Sequence, residues 1–298
     1  MIRIPPPRRS PMIIHARAKI NWSLDITGQR EDGYHLMDML MQPVTLSDTI
    51  TLTPAEELTL TTGGHPLLPA DENHLALKAA RAIQKYTGCE KGAAIHVEKH
   101  IPVGAGMGGG SSDAAGVLWG LNRLWNLGLT QQQLEEIGLT LGADVPFCLR
   151  GGLTRTTGIG ETMENLPCGR NWELVVIQPC KGLSTKEVFQ AYHAGAAPVR
   201  PDNDSAAFAL EKGDVALLQK SLANVLQPVS EQMRPDIRAA IEALRMKGAF
   251  LSLMTGSGSA VFGAFHSAEV ADAAADALRP LWPCTHRCQT CMGSLVEG

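Results

Sequence analysis

The chain has 298 residues, 44% hydrophobic and 19% charged, with seven cysteines and a formal net charge of -4 at pH 7. That length suits one large domain or two ordinary ones, and the apolar content excludes a disordered chain. There is no basic field, so nucleic acid is a poor partner, and no stretch nears the roughly 18 apolar residues of a membrane span. The opening "MIRIPPPRRSP" has no apolar run behind it, so residues 1–13 read as an extended tail and not as a secretory signal. The cysteines are odd in number and scattered, which fits reduced thiols in a cytoplasmic protein.

From Ile14 the apolar residues alternate through Ala16, Ala18, Ile20, Trp22, Leu24 and Ile26, with His15, Arg17, Lys19, Asn21, Ser23 and Asp25 on the opposite face. That period of two predicts a strand. The polar connection "GQREDGYH" then leads to the strand-like "LMDMLMQPVTLSDTITL". "ENHLALKAARAIQKYTG" predicts a helix that stops at Gly88. "AAIHVEKHIPV" predicts a strand that runs into the glycine-rich "GAGMGGGSS". Val117, Leu118, Leu121, Leu124 and Trp125 follow at helical spacing, so a helix starts near Ser111 or Ser112. A second helix opens at Thr130, where Gln133 completes a capping box, and its apolar face is Leu134, Ile137 and Leu141. Pro146 in "LGADVPFCL" forbids its continuation.

"NWELVVIQP" predicts a buried strand and "AYHAGAAPVRPDNDS" a loop. Helices are expected around 206–223 and 230–247, then two strands hinged at "TGSG", a helix at "AEVADAAADAL" and a terminal strand. No repeat is visible, and the pattern is α+β with a domain boundary near residues 155–170. Cys284, Cys288 and Cys291 in "CTHRCQTC" have the spacing of radical iron–sulfur enzymes, which place that triplet near the start of a barrel. Here it falls on the terminal strand, and buried thiols are the reading adopted.

A helix N-terminus offers unpaired N–H groups and a positive dipole end, and glycines let phosphate oxygens approach them closely. The glycine loop therefore reads as an anion site, with Ser111 and Ser112 placed to cap the helix or to reach a phosphate or a metal ion. It lacks the G-K-[ST] ending of a Walker A loop. Gly104, Gly106 and Gly109 satisfy G-x-G-x-x-G, but "LNRLWNLGLTQQQLEE" supplies helices where a dinucleotide fold needs a second strand ending in an acid. No H-R-D or D-F-G follows, as a protein kinase would require.

"PVGAGMGGGSSDAAG" instead resembles the loop of the GHMP small-molecule kinases, a family that includes galactokinase, homoserine kinase and mevalonate kinase. "AKINWSLDITGQREDGYH" at 18–35, "LGADVPFCLRGG" at 141–152 and "TGSGSAVFG" at 255–263 are similar to further motifs of that family. Their form resembles the branch that phosphorylates the 2-hydroxyl of a cytidine-diphosphate-linked methylerythritol in the non-mevalonate isoprenoid pathway. The resemblance implies an α+β GHMP kinase fold. A ribosomal-protein-S5-like, ATP-binding domain would span 14–160 and a ferredoxin-like domain 161–298, with the active site between them. It implies ATP with Mg2+, a small cytidine diphosphate polyol as partner, no nucleic acid or membrane partner, a monomer or homodimer, and a cytoplasmic location. Two alternatives stand beside it: a GHMP kinase for another small alcohol, and a non-catalytic binding protein on the same fold.

The resemblance also implies roles. Asp144 would be general base for the substrate hydroxyl. Lys19 would pair with it and neutralise charge on the moving phosphoryl group, and Asn21, about 7 Å along the same face, would hydrogen-bond substrate. Tyr34 and His35 would meet the cytosine ring, with Phe189 stacking on its other side and Thr185 touching substrate. Pro102, Val103, Gly104, Ala105, Gly106, Met107, Gly108, Gly109, Gly110, Ser111 and Ser112 would cradle ATP, with Asn73 and Lys99 at its nucleoside. Metal ligands stay unassigned. Asp113 stands where Asn is commoner, which adds a carboxylate near the phosphates that would either serve the helix N-terminus or oppose ATP. Trp22 and Ser23 stand where Leu and Phe are common.

Overall fold

A computed structural model describes residues 10–65, 71–192 and 199–298. The first half of the chain gives β1 (Met12–Gln29), β2 (His35–Ala55), β3 (Leu58–Gly63), α1 (Leu75–Thr87), β4 (Gly92–Glu98), α2 (Gly109–Leu124), α3 (Gln131–Leu139), α4 (Val145–Arg150), β5 (Leu153–Gly158) and β6 (Thr162–Leu166). The second gives β7 (Glu173–Ile177), α5 (Thr185–Ala191), α6 (Asn203–Lys212), α7 (Val215–Ser221), α8 (Gln227–Met233), α9 (Asp236–Met246), β8 (Leu251–Met254), β9 (Val261–Phe265), α10 (Ala268–Leu278), β10 (Thr285–Gln289) and β11 (Leu295–Glu297). A 7-stranded sheet has the order β11-β1-β2-β4-β3, with the β5–β6 hairpin also on β2, and a 4-stranded sheet has the order β10-β7-β9-β8. Helix α2 packs on β1 and β2, whereas α9 and α10 cover the smaller sheet. The expected α+β pattern is present.

Local chemistry explains where the elements differ from expectation. Pro146 does not end α3, which stops at Leu139 on a Thr140 C-cap; it opens α4 instead, because proline costs nothing in the first turn, where its missing N–H would be unpaired anyway. The helix expected over 206–223 starts earlier, capped by Asp202, and breaks at Gly213 into α6 and α7. The helix expected over 230–247 breaks at Pro235 into α8 and α9. Strands β3, β5 and β6, short and mixed in polarity, were not foreseen. Hairpin β5–β6 straddles residue 160 and stays in the larger sheet, so we propose that the first domain runs on to Leu166 and that β11 returns to it.

Strand β1 departs most from its sequence pattern. Its pairing with β2 breaks register between Arg17 and Lys19, between Asn21 and Ser23, and between Ile26 and Gly28. Ile14 and Ala16 pack in one apolar core, Ala18, Ile20 and Trp22 in the other, and Leu24 and Ile26 in the first again. The first two breaks thus each turn the strand over, as bulges do. The polar residues change sides with the apolar ones. Lys19 and Asn21 do not share a face with His15, Ser23 or Asp25, and with the smaller sheet packed behind them neither is solvent-exposed.

Candidate active site

The glycine loop is held from below. The Asp48 carboxylate accepts backbone N–H bonds from His100 (2.6 Å) and Ile101 (2.8 Å) and pairs with the Lys99 ammonium, fixing the exit of β4. Lys99 Nζ also bonds Asp113 Oδ2 at 2.5 Å, which ties the first turns of α2 to the same post. Between these anchors Gly104, Gly106 and Gly108 take left-handed φ of 67°, 76° and 72°. A Cβ on Gly106 would lie 2.4 Å from the Thr255 carbonyl oxygen, so the loop touches the second domain backbone to backbone. Ala260 N–H to Ala105 O (3.1 Å) closes that contact.

Helix α2 starts at Gly109 on a Gly108 N-cap, which corrects the start and cap expected at Ser111 or Ser112. Its first amide bond within the helix is Ser112 N–H to Gly108 O, leaving the N–H groups of Gly109, Gly110 and Ser111 ahead of it for an anion. Ser112 is turned away: its hydroxyl donates to Arg17 O at 2.7 Å and it is fully buried. The loop residues from Pro102 to Ser111, with Asn73, His74 and Leu75, line a cleft of about 420 Å³. Ala105 and Met107 are buried and offer it only backbone. Lys99, expected at the nucleoside, also lines this cleft, with its ammonium paired to Asp48 and Asp113.

Asp113 therefore does not face the phosphates as an unpaired charge. Burial pushes its carboxyl up to about 8, against the pull of the Lys99 ammonium, and its Oδ1 has no hydrogen-bond partner. Burial alone would lower Lys99, but the Asp113 and Asp48 charges outweigh it and hold the ammonium above its usual range. The folded chain keeps the Asp113 proton where the unfolded chain releases it, so this group costs stability as pH rises from about 4 to about 8. Asp113→Asn removes that cost. The variant's Tm minus that of wild type should grow by a few degrees between pH 5 and pH 8 and then level off. A pH-independent difference in calorimetric scans would remove the raised carboxyl from the account.

A second cleft of about 360 Å³ shares Gly106, Gly108 and Ser111 with the first. Lys19, Asn21, Asp144, Thr185 and Phe189 line it, with Leu24, Met37 and Met39 as its apolar wall. Lys19 Nζ donates to Asn21 Oδ1 at 2.6 Å and stands 3.6 Å from Asp144 Oδ2. Lys19 is held by its own N–H to Met107 O (3.0 Å), and Asn21 by its N–H to Thr255 Oγ1 (2.9 Å). Asp144 sits at the start of α4 without capping it, so its carboxylate is left to the cleft. Thr185 Oγ1 lies 2.9 Å from Ser257 Oγ.

The aromatic residues are arranged less simply than expected. His35 packs on Phe189 (centroids 5.2 Å apart) and edge-on to Tyr192 (6.3 Å), beside the second cleft. Tyr34 is 62% exposed and lines neither cleft. Sequence reasoning missed Tyr192, Ser257 and Asn224. Asn224 Nδ2 donates to both Met254 O (2.9 Å) and Gly256 O (2.8 Å), holding the "TGSG" turn against the phosphate loop. Nothing in the sequence around a lone buried Asn signals that role. Cys288 and Cys291 are buried and all seven cysteines are free thiols. Among the described residues no group of three His, Cys, Asp or Glu side chains is placed to hold a metal ion, and no helix is long and apolar enough to cross a membrane.

A glycine loop at a helix start, joined to a Lys–Asp pair between two domains, defines a small-molecule kinase of the GHMP class, and the chain matches the GHMP kinases N terminal domain over residues 74–152 and the GHMP kinases C terminal family over residues 206–283. A 4-diphosphocytidyl-2-C-methyl-D-erythritol kinase from Caldicellulosiruptor bescii is 40% identical over 95% of this chain and 99% of its own, and one from Alkaliphilus metalliredigens is 38% identical over 93% and 96%. A crystal structure of 4-(cytidine 5'-diphospho)-2C-methyl-D-erythritol kinase superposes with a TM-score of 0.82 at 32% identity, covering 95% of this chain and 100% of that one. The chain belongs to the 4-diphosphocytidyl-2-C-methyl-D-erythritol kinase family. A homoserine kinase from Cytophaga hutchinsonii (TM-score 0.76, 18% identity) shares the fold.

Proposed function

We propose that this chain transfers the γ-phosphoryl group of ATP to the 2-hydroxyl of 4-diphosphocytidyl-2-C-methyl-D-erythritol. The observation that carries the reading is the meeting of the two clefts at Gly106, Gly108 and Ser111, with Lys19 and Asp144 beside that junction. A donor phosphate on the loop and an acceptor hydroxyl in the second cleft would there come within reach of one carboxylate and one ammonium. Asp144 takes the hydroxyl proton as the substrate oxygen bonds to the γ-phosphorus. The bond from that phosphorus to the bridging oxygen breaks, and ADP leaves. Lys19, 3.6 Å from Asp144, offsets charge on the transferring group. Asn21 holds the Lys19 ammonium in place and has its amide in the same cleft.

Magnesium fits this site as a companion of ATP. It is usually held by phosphate oxygens, waters and one or two protein oxygens. The half-buried Ser111 hydroxyl, common to both clefts, is the protein oxygen we assign to it. The ion would shield phosphate charge during transfer.

The cytidine half is assigned to the His35–Phe189–Tyr192 cluster and Thr185, with Tyr34 able to join only if it leaves solvent. Binding energy from that remote base would help to position the hydroxyl. Phe189→Ala should lower kcat/KM for the cytidine substrate by about 10- to 100-fold, the scale of a lost stacking contact, and leave the KM for ATP unchanged. Free methylerythritol phosphate should be a very poor substrate. The test is ADP release from purified protein with ATP and a panel of alcohols. Equal use of the cytidyl and free polyols would instead favour a GHMP kinase for another alcohol, and no turnover with any alcohol would favour a binding protein. A cytoplasmic location and a monomeric or homodimeric state complete the proposal.

A further inference from the structure

Asn224 lines neither cleft, yet its backbone and side chain join elements of both. We propose that Asn224 is a positioning residue for phosphoryl transfer: it fixes the 254–257 turn as the spacer that sets the phosphate loop against the acceptor cleft. This rests on the kinase reading above and adds to it the group that aligns the two clefts.

Asn224 is 5% exposed, and its side chain uses its hydrogen-bonding capacity in full. Both Nδ2 hydrogens go to the turn, to Met254 O and Gly256 O, and Oδ1 accepts the Leu226 N–H at 3.0 Å. Among side chains of this length only the amide supplies two donors and an acceptor. The backbone on either side is pinned to β1: Leu24 donates its N–H to Ala223 O and accepts the Val225 N–H, each at 3.0 Å. Leu24 belongs to the apolar wall of the second cleft. Asn224 thus stands on β1 and reaches across to the turn. Two side chains of α8 help it. Gln227 Oε1 accepts the Met254 N–H at 3.0 Å, and Ser230 Oγ donates to Ser257 O at 3.1 Å.

The turn passes that position on in three directions. Thr255 Oγ1 accepts the Asn21 N–H, and Asn21 in turn holds the Lys19 ammonium. Ser257 Oγ meets Thr185 Oγ1. On the loop side a Cβ on Gly256 would lie 2.8 Å from Gly106 O, so no slack separates the two backbones. One turn therefore spaces the donor loop from the acceptor groups, and Asn224 sets the turn. Misalignment of reacting groups lowers turnover steeply. Binding energy also comes from the far ends of the clefts, at Asn73 and at the His35–Phe189–Tyr192 cluster, which the turn does not touch. A displaced turn should therefore cost turnover more than affinity.

The test uses Asn224→Asp, which keeps the shape but sets a carboxylate against two carbonyls, and the milder Ser230→Ala. Asn224→Asp decides if it folds, and Ser230→Ala decides if it does not. Wild-type turnover with the cytidyl substrate is measured first, which separates failure of the kinase reading from failure of this one. kcat should fall about 100-fold in Asn224→Asp and about 5-fold in Ser230→Ala, with both KM values and the affinity for a non-hydrolysable ATP analogue within about threefold of wild type. A residue that only supports the fold would lower the Tm and leave kcat unchanged at temperatures well below it. Hydrogen exchange gives a second readout that needs no turnover. The Asn21 N–H, bonded to the turn, and the Ala260 N–H, bonded to Ala105 O in the loop, should exchange about 10-fold faster in Asn224→Asp and measurably faster in Ser230→Ala, while the amides of β7 keep wild-type protection. The proposal is overturned if kcat of the deciding variant stays within about twofold of wild type, or if the loss falls on KM or analogue affinity instead. Unchanged protection at Asn21 and Ala260 overturns it too, and this criterion alone decides if the wild type phosphorylates no alcohol.

Discussion

Asp144→Asn is expected to lower turnover by about 100-fold or more and to leave ATP affinity nearly intact, since general-base help is typically worth that much. The carboxylate reaches the second cleft without bonding to its own helix, and its charge partner is Lys19 at 3.6 Å. The amide keeps the shape and loses the base. Steady-state kinetics with the cytidyl substrate, together with calorimetry of ATP, make the check. Turnover within a few-fold of wild type would remove Asp144 from the base role and leave the Lys19–Asn21 pair as a purely electrostatic site.

Gly106→Ala should lower kcat/KM for ATP by about 100-fold, the scale expected when reacting groups shift by an ångström. Two costs fall on this residue. Its φ of 76° disfavours any side chain by roughly 1–2 kcal/mol. The new Cβ would also stand 2.4 Å from the Thr255 carbonyl oxygen, which cannot rotate aside. The loop and the "TGSG" turn must separate, and Asn21, held by Thr255, moves with the turn. Gly109 behaves differently: a Cβ there meets Ile101 at 3.1 Å and Lys99 Nζ at 3.5 Å, in the floor beneath the loop. A folded Gly106→Ala protein that bound and used ATP normally would show that this loop is not the phosphate cradle.

Much of the site was legible because it is built from contiguous motifs. The phosphate loop, the "GADVPF" segment and the Lys19–Asn21 spacing each place their residues by local geometry, and the two clefts collect them. What was not legible depends on residues far apart in the chain. Asp48, Lys99 and Asp113 look like ordinary surface charges until the fold buries all three together. Asp113 could not be resolved between aiding and opposing ATP because its partner, Lys99, had been placed at the nucleoside. Tyr34, placed at the cytosine with His35 by the resemblance, stands outside both clefts on a turn whose side chains the sequence does not orient. Pro146, read as a stop, is a start: α3 ends before it at Leu139, and the pattern on its amino-terminal side does not reveal that it opens α4.

Strand β1 shows how fragile such an arrangement is to changes in length. A period-two ribbon has only two phases, and each of the first two register breaks in β1 acts as a sign change. They cancel, so Ile14–Ala16 and Leu24–Ile26 run in the same phase while the short stretch holding Lys19 and Asn21 runs inverted. The catalytic lysine is thus displayed on the face that an unbroken strand would give to Ala18 and Ile20. Lengthening or shortening the chain by two residues in that stretch would preserve the inversion. Removing a single residue between Arg17 and Asn21 would restore the default phase, exchange buried apolar for charged side chains in both cores, and erase the site without altering one of its residues.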